Sequence, residues 1–174
     1  MGRQDRLEVL NSNPADATIC IRIPGWVLNH PVPSDLFSFT DIQEQEYSLL
    51  VNGEEILDRP ENGYVFLQGK WREGDIIELN LPMEARIISA NEQVEQKAGL
   101  SAVQYGPIVY CAEEVDNQVD VLEARINKNS AFREQYHPEL LGGINMLEGE
   151  GLTLIPYYAW ANRDIGKMNV WFRE

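Results

Sequence analysis

Cysteine and histidine are nearly absent from this chain, and each scarcity narrows its chemistry. Cys20 and Cys111 are the only cysteines, far apart and without CxxC spacing. A zinc site built from close ligand pairs therefore has no basis in the sequence. Their contexts, "TICIRI" and "IVYCAE", read as apolar strands, which predicts buried free thiols, with a disulfide between them as the alternative. The redox compartment stays open. His30 and His137 each precede proline, which places them in extended or turn segments with no Ser or Cys nucleophile beside them. No glycine-rich phosphate loop occurs.

Positive charge is also scarce, with 14 Lys and Arg against 28 Asp and Glu and a net charge of −14. A phosphate backbone or an anionic bilayer surface meets repulsion over most of such a surface, which disfavours nucleic acid and membrane as partners. A neutral ligand such as a carbohydrate meets no such barrier. No apolar run approaches the roughly 20 residues that cross a bilayer. The opening "MGRQDRLEVL" lacks the apolar centre of a signal peptide, and a strand-like "RLEVL" begins at once, as if an upstream domain preceded it. The compartment, periplasmic and secreted among the options, is left unassigned.

Helical periodicity is the third absence. Alternation with period two recurs instead. In "ATICIRIPGW" residues Ala17, Ile19, Ile21 and Ile23 share one face, and Pro24-Gly25 ends the run. In "YSLLVNGEEIL" Asn52-Gly53 sits between apolar arms and predicts a type I′ hairpin. "GYVFLQ", "DIIELNLPM" and "EARIISA" continue the pattern, and "LSAVQYGPIVYCAEEV" reads as a strand bent or bulged at Gly106-Pro107. "DVLEARI", "LTLIPYYAWAN" and "KMNVWF" are the remaining expected strands, while 28–45 and 127–150 carry no clear strand signal. A helical turn is expected before Pro138. The fold class is all-β, a β-sandwich, expected as two small packed antiparallel sandwiches over residues 5–97 and 98–174. The seam is placed at "EQKAG", and a single larger sandwich is the alternative.

Carboxylates are abundant enough to pair by chance on any surface, so their number does not point to a glycosidase pair. The run "AEEVDNQVD", around Asp116, reads as a polar interstrand loop, with a calcium-stabilised loop as the alternative. The stretch "IPYYAWANRD" is the more informative one. Read as a strand, it sets Tyr158 and Trp160 on one side with Pro156, and Ile155, Tyr157, Ala159 and Ala161 on the other as core. Tyr158 and Trp160, with Trp26 and Trp71, are the candidate carbohydrate contacts, against the alternative that these rings pack inside the protein.

Five segments occur in an order that resembles one enzyme group: "IRIPGW" (21–26), "VNGE" (51–54), "GYVFLQGKWREGDIIELNLPM" (63–83), "QYGPIVYCAE" (104–113) and "IPYYAWANR" (155–163). Over residues 6–172 the chain resembles the C-terminal region of glycoside hydrolase family 127, the β-L-arabinofuranosidase-type enzymes. The resemblance implies an (α/α) barrel followed by β-sandwich domains, with a zinc-bound cysteine nucleophile and a glutamate acid/base in the barrel. These 174 residues match only the sandwich region. No catalytic residue of the family transfers onto them, neither Cys20 nor Cys111 inherits the nucleophile's role, and no cofactor is expected in this chain. Zinc belongs to the expected barrel, which is the implied partner. The implied role is a non-catalytic support that shapes the barrel's substrate cleft. A carbohydrate-binding module for plant-type oligosaccharides is the competing reading, and an independent small enzyme the third, for which no nucleophile, base and oxyanion set is visible.

Overall fold

The computed structural model describes residues 3–10, 13–42 and 47–174. In chain order the strands begin with β1 (Arg3–Glu8), β2 (Ala15–Arg22), β3 (Phe37–Phe39), β4 (Ser48–Val51) and β5 (Glu54–Glu55). Next come β6 (Tyr64–Trp71), β7 (Ile76–Leu81), β8 (Ala85–Ala90), β9 (Leu100–Tyr105) and β10 (Ile108–Glu113). The last are β11 (Arg133–His137), β12 (Ile144–Gly149), β13 (Leu152–Pro156), β14 (Met168–Asn169) and β15 (Phe172–Arg173). Helix among the described residues is limited to four short 3₁₀ turns, so the fold is all-β, as the alternation predicts. The chain divides into two compact units, one of residues 3–28 and 47–83, the other of 29–42 and 84–174.

The first unit is a small sandwich. A four-stranded sheet in the order β1-β7-β4-β5 faces the two-stranded sheet β2-β6. Leu49, Ile77 and Leu81 from one meet Val65, Leu67 and Trp71 from the other, and Ile23 and Val27 close the same core. Alternation along β6 sorts its side chains cleanly: Val65, Leu67 and Trp71 are buried, while Phe66, Gln68 and Lys70 are exposed. Each large apolar side chain taken from water contributes about 2 kcal/mol. On β2 the same alternation turns Cys20 outward, between half-buried Ile19 and Ile21, which corrects the expectation of a buried thiol there. Its apolar neighbours belong to the opposite face of the strand. Asn52 (φ 52°) and Gly53 (φ 82°) both adopt left-handed backbone, the signature of the expected type I′ turn.

The second unit is built around the hairpin of β9 and β10, whose two-residue turn is Gly106-Pro107. Only Tyr105 with Ile108 and Gln104 with Val109 pair across it. Beyond these pairs the arms separate. β9 continues to β8 and β3 on one side and pairs with β15 on the other, while β10 pairs with β13 and β14. The expected bend or bulge is thus a hairpin that opens into two leaves. Ser101 through Tyr105 are all buried, because the curled sheet covers both faces of β9. In the second leaf Cys111, Ile144, Met146 and Ile155 form a core cluster with Ala159.

Several expected boundaries move. The division falls after Met83 rather than at 97/98, because β8 pairs with β9 from Ala85–Tyr105 through Ser89–Ser101. The segment 28–45 contributes β3, with residues 43–45 outside those described, and 29–42 joins the second unit across the intervening sandwich. Buried Arg86 on β8 fastens it: the guanidinium lies 3.6 Å from the Phe39 ring centroid and donates to the Asn29 side chain at 2.7 Å and the Asp41 carbonyl at 2.6 Å. The expected helical turn before Pro138 is strand β11, paired with β12. "DVLEARI" is a turn, not a strand. Asp120 accepts from the Leu122 N–H at 3.1 Å, and the buried Val121 and Ile126 anchor the segment.

A Cβ at residue 53 would meet no atom within 4 Å, so a substitution there tests backbone strain alone. Gly53→Val should lower stability by about 1 kcal/mol or more, read as a lower urea midpoint with an unchanged m-value.

Candidate functional site

β13 ends at Pro156, opposite Tyr110 of β10. The chain does not continue as a strand from there. Pro156 has no N–H to extend the ladder, and Tyr157–Ala159 turn into a 3₁₀ helix closed by Trp160 N–H donating to the Tyr157 carbonyl at 3.3 Å. This overturns the expected two-faced strand. Ala159 points into the core as expected, but Tyr157 is exposed and its ring stacks on Trp160, with centroids 6.3 Å apart and planes 11° from parallel. Tyr158 is 67 % exposed and Trp160 is 41 % exposed.

An ion cluster holds this aromatic turn in place. Ala161 adopts φ 60°, unusual for a residue with a Cβ, and its N–H donates to Glu113 Oε1 at 2.8 Å. Arg163 donates to both carboxylate oxygens of Asp116 at 2.5 Å and also to Glu113 Oε2. All three side chains are largely buried. The hydrogen bonds to Asp116 first, and those to Glu113 second, raise the Arg163 pKa above its already high ordinary value. Asn117 completes the frame by exchanging hydrogen bonds with Thr153 of β13, at 2.8 and 2.9 Å. Glu114 accepts from the Lys167 N–H, and Asp120 pairs with Lys167 Nζ at 2.7 Å. The acids of the "AEEVDNQVD" run are thus held by cations and amides of this chain, the same oxygens that the calcium alternative requires.

Beside the turn, Tyr157 is one wall of a groove of about 430 Å³. Its floor is Ile88, Ala102 and Val109, and Phe37 and Trp171 form another wall, their rings 5.5 Å apart. Among the described residues lining it, polar groups are few, and Gln104 spends its amide N–H on the Gly106 carbonyl at 2.6 Å. The lining suits apolar surface better than a ring of sugar hydroxyls.

The other two candidate aromatics lie in the first unit, packed on its core. Trp71 is 8 % exposed, donates its indole N–H to the Ala17 carbonyl at 3.1 Å and leaves only a small part of its surface in the groove beside β6. Trp26 lies in the 3₁₀ turn Gly25–Leu28, half-buried against the sandwich core. The residues that build the turn but escaped the sequence reading are Tyr157, assigned there to the core, and Glu113, Asp116 and Arg163, which lie apart in the chain. The phrase "ANR" directly after the aromatics was the one local signal.

A family model described as the glycoside hydrolase family 127 C-terminal domain matches residues 85–173, and one described as the β-L-arabinofuranosidase GH127 middle domain matches residues 2–83. The chain belongs to glycoside hydrolase family 127. Its two matched domains meet where the structure divides, after Met83. A non-reducing end β-L-arabinofuranosidase of Bifidobacterium longum is 32 % identical over 97 % of this chain, which covers 28 % of that protein. A solved GH127 β-arabinofuranosidase superimposes with a TM-score of 0.93 at 38 % identity, over 99 % of this chain and 30 % of that one. A GH127 β-L-arabinofuranosidase from Geobacillus stearothermophilus T6 gives 0.82 at 29 % identity, over 98 % and 28 %. The chain therefore spans about three-tenths of the length of these relatives.

The residues present do not fit the zinc that the family resemblance implies. Among the described residues no three His, Cys, Asp or Glu side chains form a group able to hold a metal. Cys20 and Cys111 are both free, and Cys111 is wholly buried. Burial first, then the negative charge of Glu113 and Asp116, push its thiol up to about 12. A raised value favours the folded state while the thiol is protonated in both states, below about pH 8.5, and that contribution is lost as pH rises toward 12.

Two outcomes follow from this geometry. Iodoacetamide at pH 8 should modify Cys20 in the native chain and leave Cys111 unmodified until denaturant is added, as read by intact mass. Arg163→Ala leaves Glu113 and Asp116 buried without their cation and should cost about 3 kcal/mol by urea denaturation, with early proteolysis in 157–166. The triple change Glu113→Gln, Asp116→Asn, Arg163→Met should recover part of that loss.

Proposed function

We propose that this chain is the sandwich portion of a longer β-L-arabinofuranosidase-type glycoside hydrolase and carries out no glycoside hydrolysis by itself. Its role is to buttress the catalytic barrel of the same polypeptide and to shape the rim of the substrate cleft. The observation that carries this reading is the match of both family domains over nearly the whole chain, which covers only 28 to 30 % of the arabinofuranosidases it resembles. The chemistry of the residues supports it. Retaining hydrolysis uses a nucleophile and an acid/base facing each other across a cleft. Here Cys111 is a protonated thiol inside a core, and Glu113 and Asp116 neutralise Arg163. The groove of Phe37, Tyr157 and Trp171 offers apolar surface of the kind that packs against another domain.

A second reading, a sugar-contact surface, is favoured by one observation: Tyr158 and the Tyr157–Trp160 stack remain exposed on a rigid turn. In the longer protein such rings would stand at the edge of the cleft and contact an oligosaccharide of plant type.

The purified chain and the product of its full reading frame should be assayed on p-nitrophenyl arabinofuranosides, with and without zinc and reductant. The chain alone is expected to give no turnover above buffer, whereas the longer protein hydrolyses the substrate. Turnover by the chain that is lost in Cys20→Ser or Cys111→Ser would overturn the non-catalytic reading. Titration of tryptophan fluorescence with arabino-oligosaccharides separates the two roles, since saturable quenching abolished by Trp160→Ala requires the sugar-contact surface.

A further inference from the structure

Among the described residues, strand β6 pairs along one edge with β2 and has no partner strand along the other. Ile23 N–H donates to the Gly63 carbonyl at 2.9 Å, one step beyond the Arg22–Tyr64 end of the β2–β6 ladder. Antiparallel pairs alternate between bonded and non-bonded, so the odd-numbered residues of β6 aim their backbone groups at β2 and the even-numbered ones aim away. Tyr64 agrees with this parity. Its N–H and C=O exchange hydrogen bonds of 3.0 and 2.8 Å with Glu61, on the side away from β2. The N–H and C=O groups of Phe66, Gln68 and Lys70 therefore point the same way, and no described residue takes them.

This edge opens on a groove of about 550 Å³, walled across from β6 by Val51, Glu54, Ile56 and Asp58 of the β4–β5 hairpin. The sheet that contributes β6 has two strands against four in the opposing sheet. Leu67 and Trp71 on one side and Val51 and Ile56 on the other form the floor of the groove, and its rim is polar, with Glu54, Asp58, Gln68, Lys70 and Arg72.

We propose that a further β-strand, supplied by the remainder of the longer polypeptide, adds to the open edge of β6 and completes this sandwich. The proposal rests on the reading of the chain as part of a larger enzyme, whose relatives carry about seven-tenths of their length outside the matched region. The chemistry selects a strand. Phe66, Gln68 and Lys70 repeat donors and acceptors over about 13 Å, the rise of four residues in extended chain. A neighbouring strand would direct every second side chain inward onto Leu67, Ile56 and Val51, and apolar residues at those positions would fill the groove. A second copy of this chain does not fill it, because the inward side chains of its own β6 are already buried in its own core. Two copies at −14 each also repel.

Hydrogen exchange followed by mass spectrometry tests this on the 174-residue chain and on the product of the full reading frame. The amides of Phe66, Gln68 and Lys70 are expected to exchange on the order of 100-fold more slowly in the longer protein. Those of Leu67 and Trp71 should be protected in both. Gln68→Pro removes one outward N–H, which an open edge tolerates. It should leave the urea midpoint of the short chain unchanged and abolish the gained protection at Phe66 and Lys70 in the longer protein. A longer protein whose even-numbered amides remain fast would overturn the added strand while leaving the proposed function standing. A reading frame of these residues alone would remove both. Concentration-dependent protection of the short chain would replace the strand with a second copy, and protection only on adding arabino-oligosaccharide would replace it with a sugar, each against the proposal.

Discussion

Two backbone pairs at the base of the β9–β10 hairpin, Tyr105 with Ile108 and Gln104 with Val109, carry an unusual share of the second unit. Because the arms separate after those pairs, each must find another partner for its inner edge or leave polar backbone buried without hydrogen bonds. The C-terminal segment meets that demand twice, as β14 on β10 and as β15 on β9. The result is one curled sheet in which Ser101 through Tyr105 of β9 are all buried. That is why its sequence, "LSAVQY", has lost the alternation seen in β6.

The aromatic turn depends on the same opening. Glu113 ends β10 beside β14, and Asp116 follows in the next turn, so the carboxylates that grip Arg163 are placed by the strand that carries Cys111. A buried ion pair seldom adds much net stability over a well-packed apolar equivalent, but removing one member is costly. Its consequence here is positional. It holds Ala161 in left-handed backbone and presents Tyr157, Tyr158 and Trp160 on a short rigid turn rather than along a strand. The acids are taken up by Arg163 and the Ala161 N–H, while burial first and these carboxylates second keep the nearby Cys111 thiol protonated.

In the second unit the C-terminal strands β14 and β15 and the segment 29–42, fastened by Arg86, extend a sheet whose path ends at β11 and β3. In the first, the outer edge of β6 meets no strand among the described residues and borders a groove with a polar rim. A domain evolved within a larger polypeptide can leave such an edge, since the rest of that polypeptide is always present to cover it. An independent protein would have to guard it with charge, proline or a bulge.

The sequence by itself determined what depends on neighbours in the chain. Period-two alternation set the strands β2, β6 and β7, since each turns one face to the core, and Asn52-Gly53 set its turn, since those residue types accept positive φ. Family membership was legible too, because it rests on ordered local motifs. Tertiary structure alone decided what depends on pairing across distance. The unit boundary moved to Met83 because β8 found β9, and β11 became a strand because β12 was available beside it. Trp71 went inside where an Ala17 carbonyl could take its indole N–H, and Cys20 went outside by the parity of its strand. Above all, Arg163 met Glu113 and Asp116 from some fifty residues away in the chain. No local pattern encodes such a meeting, because the free energy of burying three charges together exists only once the sheet has brought them within reach.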